Sequence, residues 1–305
     1  MEDPELDAAL EAAWAERSAV SLAGPTLAGV IANEKSRSFS SEREREALKQ
    51  MKPGLQVIKM GGGMPDHKFL DDTMPQLLSA AQTAWQKGVE HEDYSMLEYD
   101  FGSGVGQMKK QVADYLSRSR NQRATLEEIF VTTGNMGGIQ LACQAYLGPD
   151  TICVVESPLF SVSGRIAAST GAKIEPVGMD DAGIDVDAVE TVILAAKERG
   201  ERVAMVYCQP LFHNPTGVCI SLRRATSLLK LCAAHSVVVL ADEAYEAYGF
   251  ETSGPPPVYL SKLSGGRGVI SVHSFSKTIG TVGIAPRRRR HYFVSLWLVS
   301  PCLHA

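Results

Sequence analysis

The sequence predicts an α/β fold with a mostly parallel central sheet. Between residues 105 and 280, short apolar runs alternate with stretches that have helical length and pattern. The runs are mostly β-branched and lie between helices, which is typical of strands buried on both faces of a parallel sheet. The predicted strands cover residues 129–132, 151–155, 173–177, 203–207, 237–240 and 269–272. The predicted helices cover residues 105–118, 137–147, 185–198 and 221–234.

Composition excludes several classes of protein. The chain has 305 residues, of which 45% are apolar and 21% charged, as in ordinary globular proteins. A net charge of -5 argues against nucleic acid as the main partner. No segment is apolar enough to span a membrane, and the acidic N-terminus resembles neither a signal nor a transit peptide. The six scattered cysteines form no C-x-x-C pair, so we expect mostly buried free thiols and a cytoplasmic protein.

The segment before the α/β pattern carries fewer signals. We expect a short helix over residues 5–17 and a solvated, highly charged helix within residues 33–52. Three consecutive glycines end at Gly63 and predict a loop whose backbone approaches another group closely.

Ligands of open α/β sheets bind beyond the carboxyl ends of the strands, so the residues there are the candidates for a site. After the first strand, Gly134, Asn135 and Met136 lead into a helix, whose free N–H groups would suit an anion. A plain strand-to-helix turn explains the same residues equally well. Phe160 follows the second strand and could cover a flat ring, although such an aromatic is more often part of a core.

The ends of the later strands carry polar groups. Asn214 lies in an Asn-Pro-Thr-Gly turn, and the preceding His213 is interpreted as a loop histidine without a role. Asp242 directly follows a buried strand, where a carboxylate is costly unless it meets a cation or several donors. A buried protonated pyridine nitrogen would be such a cation. Lys277 follows the last predicted strand and is placed to react with a carbonyl cofactor, while hydroxyls at Ser274 and Ser276 could hold a phosphate.

Together these residues resemble the fold-type I pyridoxal-phosphate (PLP) aminotransferases of class I and II. The resemblance covers about residues 55–281 and is strongest to the branch of kynurenine and aminoadipate aminotransferases. It rests on Asn-Pro-Thr-Gly, on Asp-Glu-Ala-Tyr 28 residues after Asn214, and on Ser-Phe-Ser-Lys ending at Lys277. It implies a three-layer α/β/α large domain with a mostly parallel sheet and pyridoxal 5'-phosphate as the cofactor. It also implies amino acid and 2-oxo acid substrates and, at full length, a homodimer.

The resemblance also implies roles for the reacting residues. Lys277 would form an aldimine with the cofactor and then carry a proton between the substrate Cα and the cofactor. Asp242 would pair with the pyridinium N–H and keep that nitrogen protonated. Asn214 and Tyr245 would hydrogen-bond the ring hydroxyl oxygen.

Further roles concern the phosphate, the ring face and the substrate. Phe160 would stack on the ring. The phosphate would bind to the residues of the glycine-rich turn and to the serines near the lysine, namely Gly134, Asn135, Met136, Ser274 and, less strongly, Ser276. Asn135 and Met136 replace the more usual Ser-Gln, so backbone N–H groups would have to do more. Tyr99 would reach the phosphate of the neighbouring subunit, and Gly63 would lie near the substrate carboxylate. No metal ligand is predicted.

The resemblance breaks after residue 281. The family has a phosphate-binding arginine seven or eight residues after the lysine, but Ile284 and Ala285 stand here. We therefore predict an N-terminal segment (1–54), a PLP-binding large domain (55–281) and a non-matching tail (282–305). Our hypothesis is that a frameshift, a retained intron or a gene-model error produced this tail. The small C-terminal domain, with the arginine for the substrate α-carboxylate, is expected to be missing.

Two alternatives remain open at this point. The same lysine and aspartate serve other fold-type I PLP enzymes, such as a lyase or a cyclopropane-carboxylate-type synthase. The chain could also be an inactive PLP-binding fragment. The residues that select the substrate are expected largely in the N-terminal segment and in the missing domain.

Overall fold

A computed structural model describes residues 67–93, 106–246, 257–278 and 294–298. The predictions for residues 5–17 and 33–52, and those for Gly63 and Tyr99, lie outside the described residues.

The described elements alternate between helix and strand, as predicted. The helices are α1 (His67–Glu90), α2 (Gly106–Arg120), α3 (Gly134–Tyr146), α4 (Ser161–Ser169), α5 (Val186–Glu198), α6 (Leu222–Ala234), α7 (Leu260–Leu263) and α8 (Phe275–Thr278). The strands are β1 (Ile129–Thr133), β2 (Thr151–Glu156), β3 (Lys173–Val177), β4 (Met179–Asp180), β5 (Gly183–Ile184), β6 (Arg202–Cys208), β7 (Val238–Asp242), β8 (Val269–Ser274) and β9 (Val294–Leu298). All six predicted strands and all four predicted helices are confirmed within a few residues.

The main sheet has seven strands in the order β1-β9-β8-β7-β6-β2-β3. Strands β3, β2, β6, β7 and β8 pair in parallel, whereas β9 runs antiparallel to both of its neighbours, β1 and β8. Six strands therefore point the same way, and their carboxyl ends meet at one edge. The predicted mostly parallel α/β fold is confirmed.

Several features of the fold were not predicted, among them the helices α1, α4, α7 and α8. Strands β4 and β5 form a two-residue antiparallel ladder beside the main sheet, too short to leave a periodic signal. Strand β9 lies within residues 282–305, the tail that was predicted not to match, yet all five of its residues pair with β1 and its last four pair with β8.

Side chains of the strands alternate between two apolar cores, one on each face of the sheet. On one face, Leu240 and Val272 belong to a core with α3 and α4. On the other face, Val239 and Ala241 belong to a core with α5, α6 and α7. The continuous apolar runs follow from this arrangement, because strands covered on both faces have no solvent side. The result is the three-layer architecture.

Helices α5 and α6 begin at side-chain caps. Asp185 caps α5 by accepting hydrogen bonds from the N–H groups of Asp187 and Ala188, and Ser221 caps α6 by accepting one from Arg224. Helix α2 packs through Val112 and Leu116 on the end of the sheet.

The described cysteines form no disulfide (Cys143, Cys153, Cys208, Cys219 and Cys232). Burial raises the pKa of Cys143 and of Cys232 to about 12, so both stay protonated thiols. Within the described ranges, none of the helices has the length and apolar character needed to cross a membrane.

Candidate active site

The carboxyl ends of β6, β7 and β8 lie level with one another. Cys208 pairs with Ala241 across β6 and β7, and Asp242 pairs with Val272 across β7 and β8. Because side chains alternate along a strand, Asp242 falls on the same face as Leu240, the face covered by α3 and α4. Ser274, two residues after Val272, falls on that face too. The sequence order alone could not show this shared face.

Asp242 is held by four neutral donors. Its side chain is buried with 1% of its surface exposed. The Oδ1 atom accepts hydrogen bonds from Asn135 Nδ2 at 2.7 Å and from the N–H of Ala244 at 3.3 Å. The Oδ2 atom accepts from Tyr207 Oη at 2.7 Å and from Gln209 Nε2 at 3.0 Å. These donors replace the water that the carboxylate loses on burial.

Tyr207 is a dependable donor in this group. Burial, together with the charge of Asp242, raises the pKa of Tyr207 well above its ordinary value. Its hydroxyl therefore keeps its proton at neutral pH and can donate it to Asp242.

Asn214, Tyr245 and Lys277 lie close to one another. Asn214 Nδ2 donates to Tyr245 Oη at 3.4 Å, and Lys277 Nζ lies 5.9 Å from the centre of the Tyr245 ring. All three side chains are partly buried. Burial lowers the pKa of Lys277, which makes its neutral, nucleophilic form more accessible.

The glycine-rich turn differs from the prediction in one respect. Helix α3 begins at Gly134, three residues earlier than expected, so Gly134, Asn135 and Met136 form its first turn. Their N–H groups have no partner within the helix, which suits an anion. The side chain of Met136 packs against the core, and that of Asn135 donates to Asp242. Both side chains are therefore engaged elsewhere. The backbone N–H groups are the part of this turn that can bind an anion.

Ser274 and Ser276 sit where β8 meets α8. The N–H of Ser276 donates to Ser274 Oγ at 3.1 Å, so the Ser274 hydroxyl proton remains able to point elsewhere. Phe160 precedes α4 on the same face of the sheet and is partly buried. These positions are compatible with the predicted roles of all three residues.

The opposite face of the same strand ends carries a buried ionic cluster. Arg120 Nη1 lies 3.3 Å from Glu243 Oε2, and the guanidinium also contacts Glu246 and both ring nitrogens of His273. The Tyr259 ring stacks 4.5 Å from Arg120 Cζ. Glu243, Glu246 and His273 lie close enough together to ligate a metal ion. Here the Arg120 guanidinium supplies the positive charge between them. We call these four charged or titratable residues the Arg120 cluster.

Burial lowers the pKa of His273 to about 3, and the nearby Arg120 charge acts in the same direction. The imidazole is therefore neutral at physiological pH, and its one unprotonated ring nitrogen accepts a hydrogen bond from Arg120.

His213, which was given no role, is a buried structural residue. Its Nε2 lies 3.2 Å from Glu156 Oε1, and its Nδ1 lies 2.8 Å from Thr216 Oγ1. Burial raises the pKa of Glu156, although the contact with His213 opposes this shift. The contacts anchor the Asn-Pro-Thr-Gly turn to the end of β2.

Sequence reasoning missed Tyr207, Gln209 and Arg120. Tyr207 and Gln209 differ by two positions at the end of a strand, a spacing that places both on one face. That signal was present. Arg120 is separated from Glu243 by 123 residues and left no local signal.

The sequence of this chain is similar to those of known aminotransferases. The family model described as "Aminotransferase class I and II" matches residues 56–285. The aromatic-amino-acid aminotransferase 1 of Thermococcus litoralis is 24% identical over 247 residues, which cover 81% of this chain and 57% of that protein. The 2-aminoadipate transaminase of Thermus thermophilus is 28% identical, with 77% and 55% covered. This chain therefore spans a little over half the length of these relatives.

Solved structures show the same fold. The α-aminoadipate aminotransferase LysN of Thermus thermophilus, solved with N-(5'-phosphopyridoxyl)-L-leucine, superposes with a TM-score of 0.64 at 23% sequence identity. The match covers 90% of this chain and 61% of that one.

Proposed function

Because this chain belongs to the class I and II aminotransferase family, we propose that it binds pyridoxal 5'-phosphate on Lys277 and moves an amino group from an amino acid to a 2-oxo acid. One observation carries the proposal. A nearly fully buried carboxylate, Asp242, lies on the α3 face, and the four hydrogen bonds that it accepts from the described residues all come from neutral groups. A ligand with a cationic N–H would complete the compensation of this charge.

The residues present fit the cofactor. When bound, the protonated pyridine ring supplies an electron sink for the charge that develops at the substrate Cα. Asp242 would hold the ring nitrogen protonated, since its four donors fix it in place. Asn214 and Tyr245 would donate hydrogen bonds to the ring hydroxyl oxygen. Phe160, at the end of β2, would cover one face of the ring.

The phosphate would bind at the amino end of α3. The N–H groups of Gly134, Asn135 and Met136 would meet it there, at the positive end of the helix dipole. The Ser274 hydroxyl, with Ser276 as a further donor, would approach from the other side. The phosphate and ring-nitrogen sites are thus joined by Asn135, whose backbone would serve one and whose side chain serves the other.

Lys277 would remove a proton from the substrate Cα and carry it to the cofactor. Partial burial lowers its pKa, so the neutral amine is available closer to neutral pH than on an exposed lysine.

Partners follow from the same proposal. Tyr99 would reach the phosphate of a second copy, which requires a homodimer, and Gly63 would lie near the substrate carboxylate. The free, buried thiols fit a reducing compartment such as the cytoplasm.

The test is to bind PLP to the purified 305-residue chain and reduce it with borohydride. We expect a visible absorption band and, after proteolysis, a single phosphopyridoxyl group on the peptide that contains Lys277. The Lys277→Ala variant should lose both. Lys173→Ala is the matched control, because Lys173 is an exposed lysine whose ion pair with Glu175 lies at the surface.

Labelling of the wild type and Lys277→Ala to the same extent would contradict the site. If Lys277 is labelled, incubation with an amino acid should release the corresponding 2-oxo acid. Loss of a γ-substituent instead would show a lyase or synthase reaction and contradict amino-group transfer.

A further inference from the structure

Gln209 makes three hydrogen bonds that together span the candidate site. Its side-chain Nε2 donates to Asp242 Oδ2 at 3.0 Å. Its side-chain Oε1 accepts from the N–H of Asn214 at 3.0 Å. Its own N–H donates to Glu156 Oε1 at 2.6 Å. The residue is buried, with 3% of its surface exposed.

The loop that follows Gln209 is folded tightly. The N–H of Ile220 donates to Pro210 O at 2.8 Å, and the N–H of Gly217 donates to His213 O at 2.6 Å. Phe212 adopts a φ of 47°, which is uncommon for a residue with a side chain and persists only where the surroundings fix it. The loop therefore has a defined shape, and Gln209 links that shape to β7.

We propose that Gln209 is a positioning residue, which fixes the distance between the Asp242 carboxylate and Asn214. This inference rests on the proposed function. In that function Asp242 meets the nitrogen of the cofactor ring, and Asn214 meets the hydroxyl oxygen on another part of the ring. The planar amide of Gln209 bonds to Asp242 through its nitrogen and to Asn214 through its oxygen. Because the amide has a fixed size, it holds the two groups at a spacing that suits one rigid ring.

Two features set the size of the effect. Asp242 keeps its other three donors when Gln209 is replaced, so the carboxylate stays in place. Asn214 loses the acceptor for its N–H and with it a restraint on its side chain. Substitution of Gln209 should therefore shift the properties of the bound cofactor without abolishing binding.

The experiment compares Gln209→Met with Gln122→Met in the full chain loaded with PLP. Gln122 is a matched control, because it is also a buried glutamine whose Nε2 donates to one side chain, Ser261 Oγ, at 3.1 Å. The first readout is the pH midpoint of the visible absorption of bound PLP. The second is the PLP dissociation constant, and the third is the melting temperature.

For Gln209→Met we expect the pH midpoint to rise by about 0.5 to 1 unit and the dissociation constant to rise about 3- to 10-fold. The midpoint rises because a looser Asn214 withdraws less negative charge from the ring oxygen, which then holds the neighbouring proton more strongly. Gln122→Met should lower the melting temperature and leave both cofactor readouts unchanged.

A second variant tests the length of the bridge. Gln209→Asn keeps the amide group but is one methylene shorter, so it cannot bond to both Asp242 and the N–H of Asn214. It should shift the pH midpoint and the dissociation constant in the same direction as Gln209→Met does. It also serves if Gln209→Met does not fold.

Unchanged midpoints and dissociation constants in both Gln209 variants would overturn the inference, as would equal shifts in the Gln122 control. Failure of the wild type to absorb in the visible with PLP is a different result. It would overturn the proposed function first, and this inference with it.

Discussion

Asp242 and Glu243 are neighbours in the chain, yet they lie on opposite faces of the sheet with opposite surroundings. Both are almost fully buried, with 1% and 0% of their surface exposed. Glu243 meets the Arg120 guanidinium, whereas Asp242 meets four neutral donors from the described residues. On the face of Glu243, the chain itself thus supplies the positive charge that balances the carboxylate.

The difference separates a structural carboxylate from a ligand-binding one. A buried ion pair closed within the protein gains little from any ligand and mainly fixes the strand ends. A buried carboxylate surrounded by neutral donors is positioned but retains its charge, so a cationic ligand gains from it. Burial alone would not distinguish the two residues, but the charge of their partners does.

The largest effect that this comparison predicts is on stability. Arg120→Met should lower the free energy of unfolding by about 3 to 5 kcal/mol, because it leaves Glu243 buried without a counter-charge. Urea denaturation of the chain without PLP measures this value. Arg199→Met is the control, since Arg199 pairs with Glu201 on the exposed surface and should cost less than about 1 kcal/mol.

Adding Glu243→Gln to Arg120→Met should restore part of the lost stability. If Arg120→Met lowered the free energy of unfolding no more than Arg199→Met does, the Arg120 cluster would not have the structural role proposed for Glu243.

The next effect concerns the ligand side. Asp242→Asn should raise the PLP dissociation constant about 30- to 150-fold, which corresponds to about 2 to 3 kcal/mol for a hydrogen bond between charged groups. Glu243→Gln should lower the melting temperature and change PLP affinity less than about threefold. Equilibrium titration followed by absorbance gives both constants. Equal losses of affinity in the two variants would erase the distinction between the faces.

The smallest effect is a pH dependence of the Arg120 cluster. The pKa of His273 is about 3 in the folded chain, below its ordinary value of 6.5. Between pH 6.5 and pH 3, His273 binds a proton in the unfolded chain but not in the folded chain. The free energy of unfolding therefore decreases as the pH falls through this range. At pH 5 the loss should be about 2 kcal/mol.

Urea denaturation at pH 8 and pH 5 measures this loss, with His273→Asn as the reference variant. The wild type should lose about 2 kcal/mol more than the variant between these two pH values. Equal losses would show that His273 is protonated in the folded chain, and the cluster would then carry more positive charge than described.

Much of the fold and part of the site could be predicted from the sequence. Strands such as β2 and β7 were predictable because complete burial requires continuous apolar runs. Asp242, Asn214 and Lys277 stood out because polar groups at the ends of buried strands are costly. Their chemistry could be proposed before their contacts were known.

The rest depended on information that is not local. Asn135 was expected to meet a phosphate, but β1 and β7 bring its side chain to Asp242, 107 residues away. Arg120 required the packing of α2 against two strand ends. Strand β9 was missed because its segment followed the break in the family pattern, although its apolar run pairs like any other strand.

Strand β9 also constrains the order in which the molecule assembles. Among the described strands, β1 joins the sheet through β9, which in turn pairs with β8. A chain emerging from the ribosome therefore carries the amino end of α3, attached to β1, long before residues 294–298 are made. Contacts between distant segments form slowly, because closing a long loop costs entropy before any pairing repays it. The pairing of β9 consequently adds a late restraint on the spacing between the anion-binding end of α3 and the lysine after β8, a spacing that the packing of α3 on β7 and β8 already sets in part.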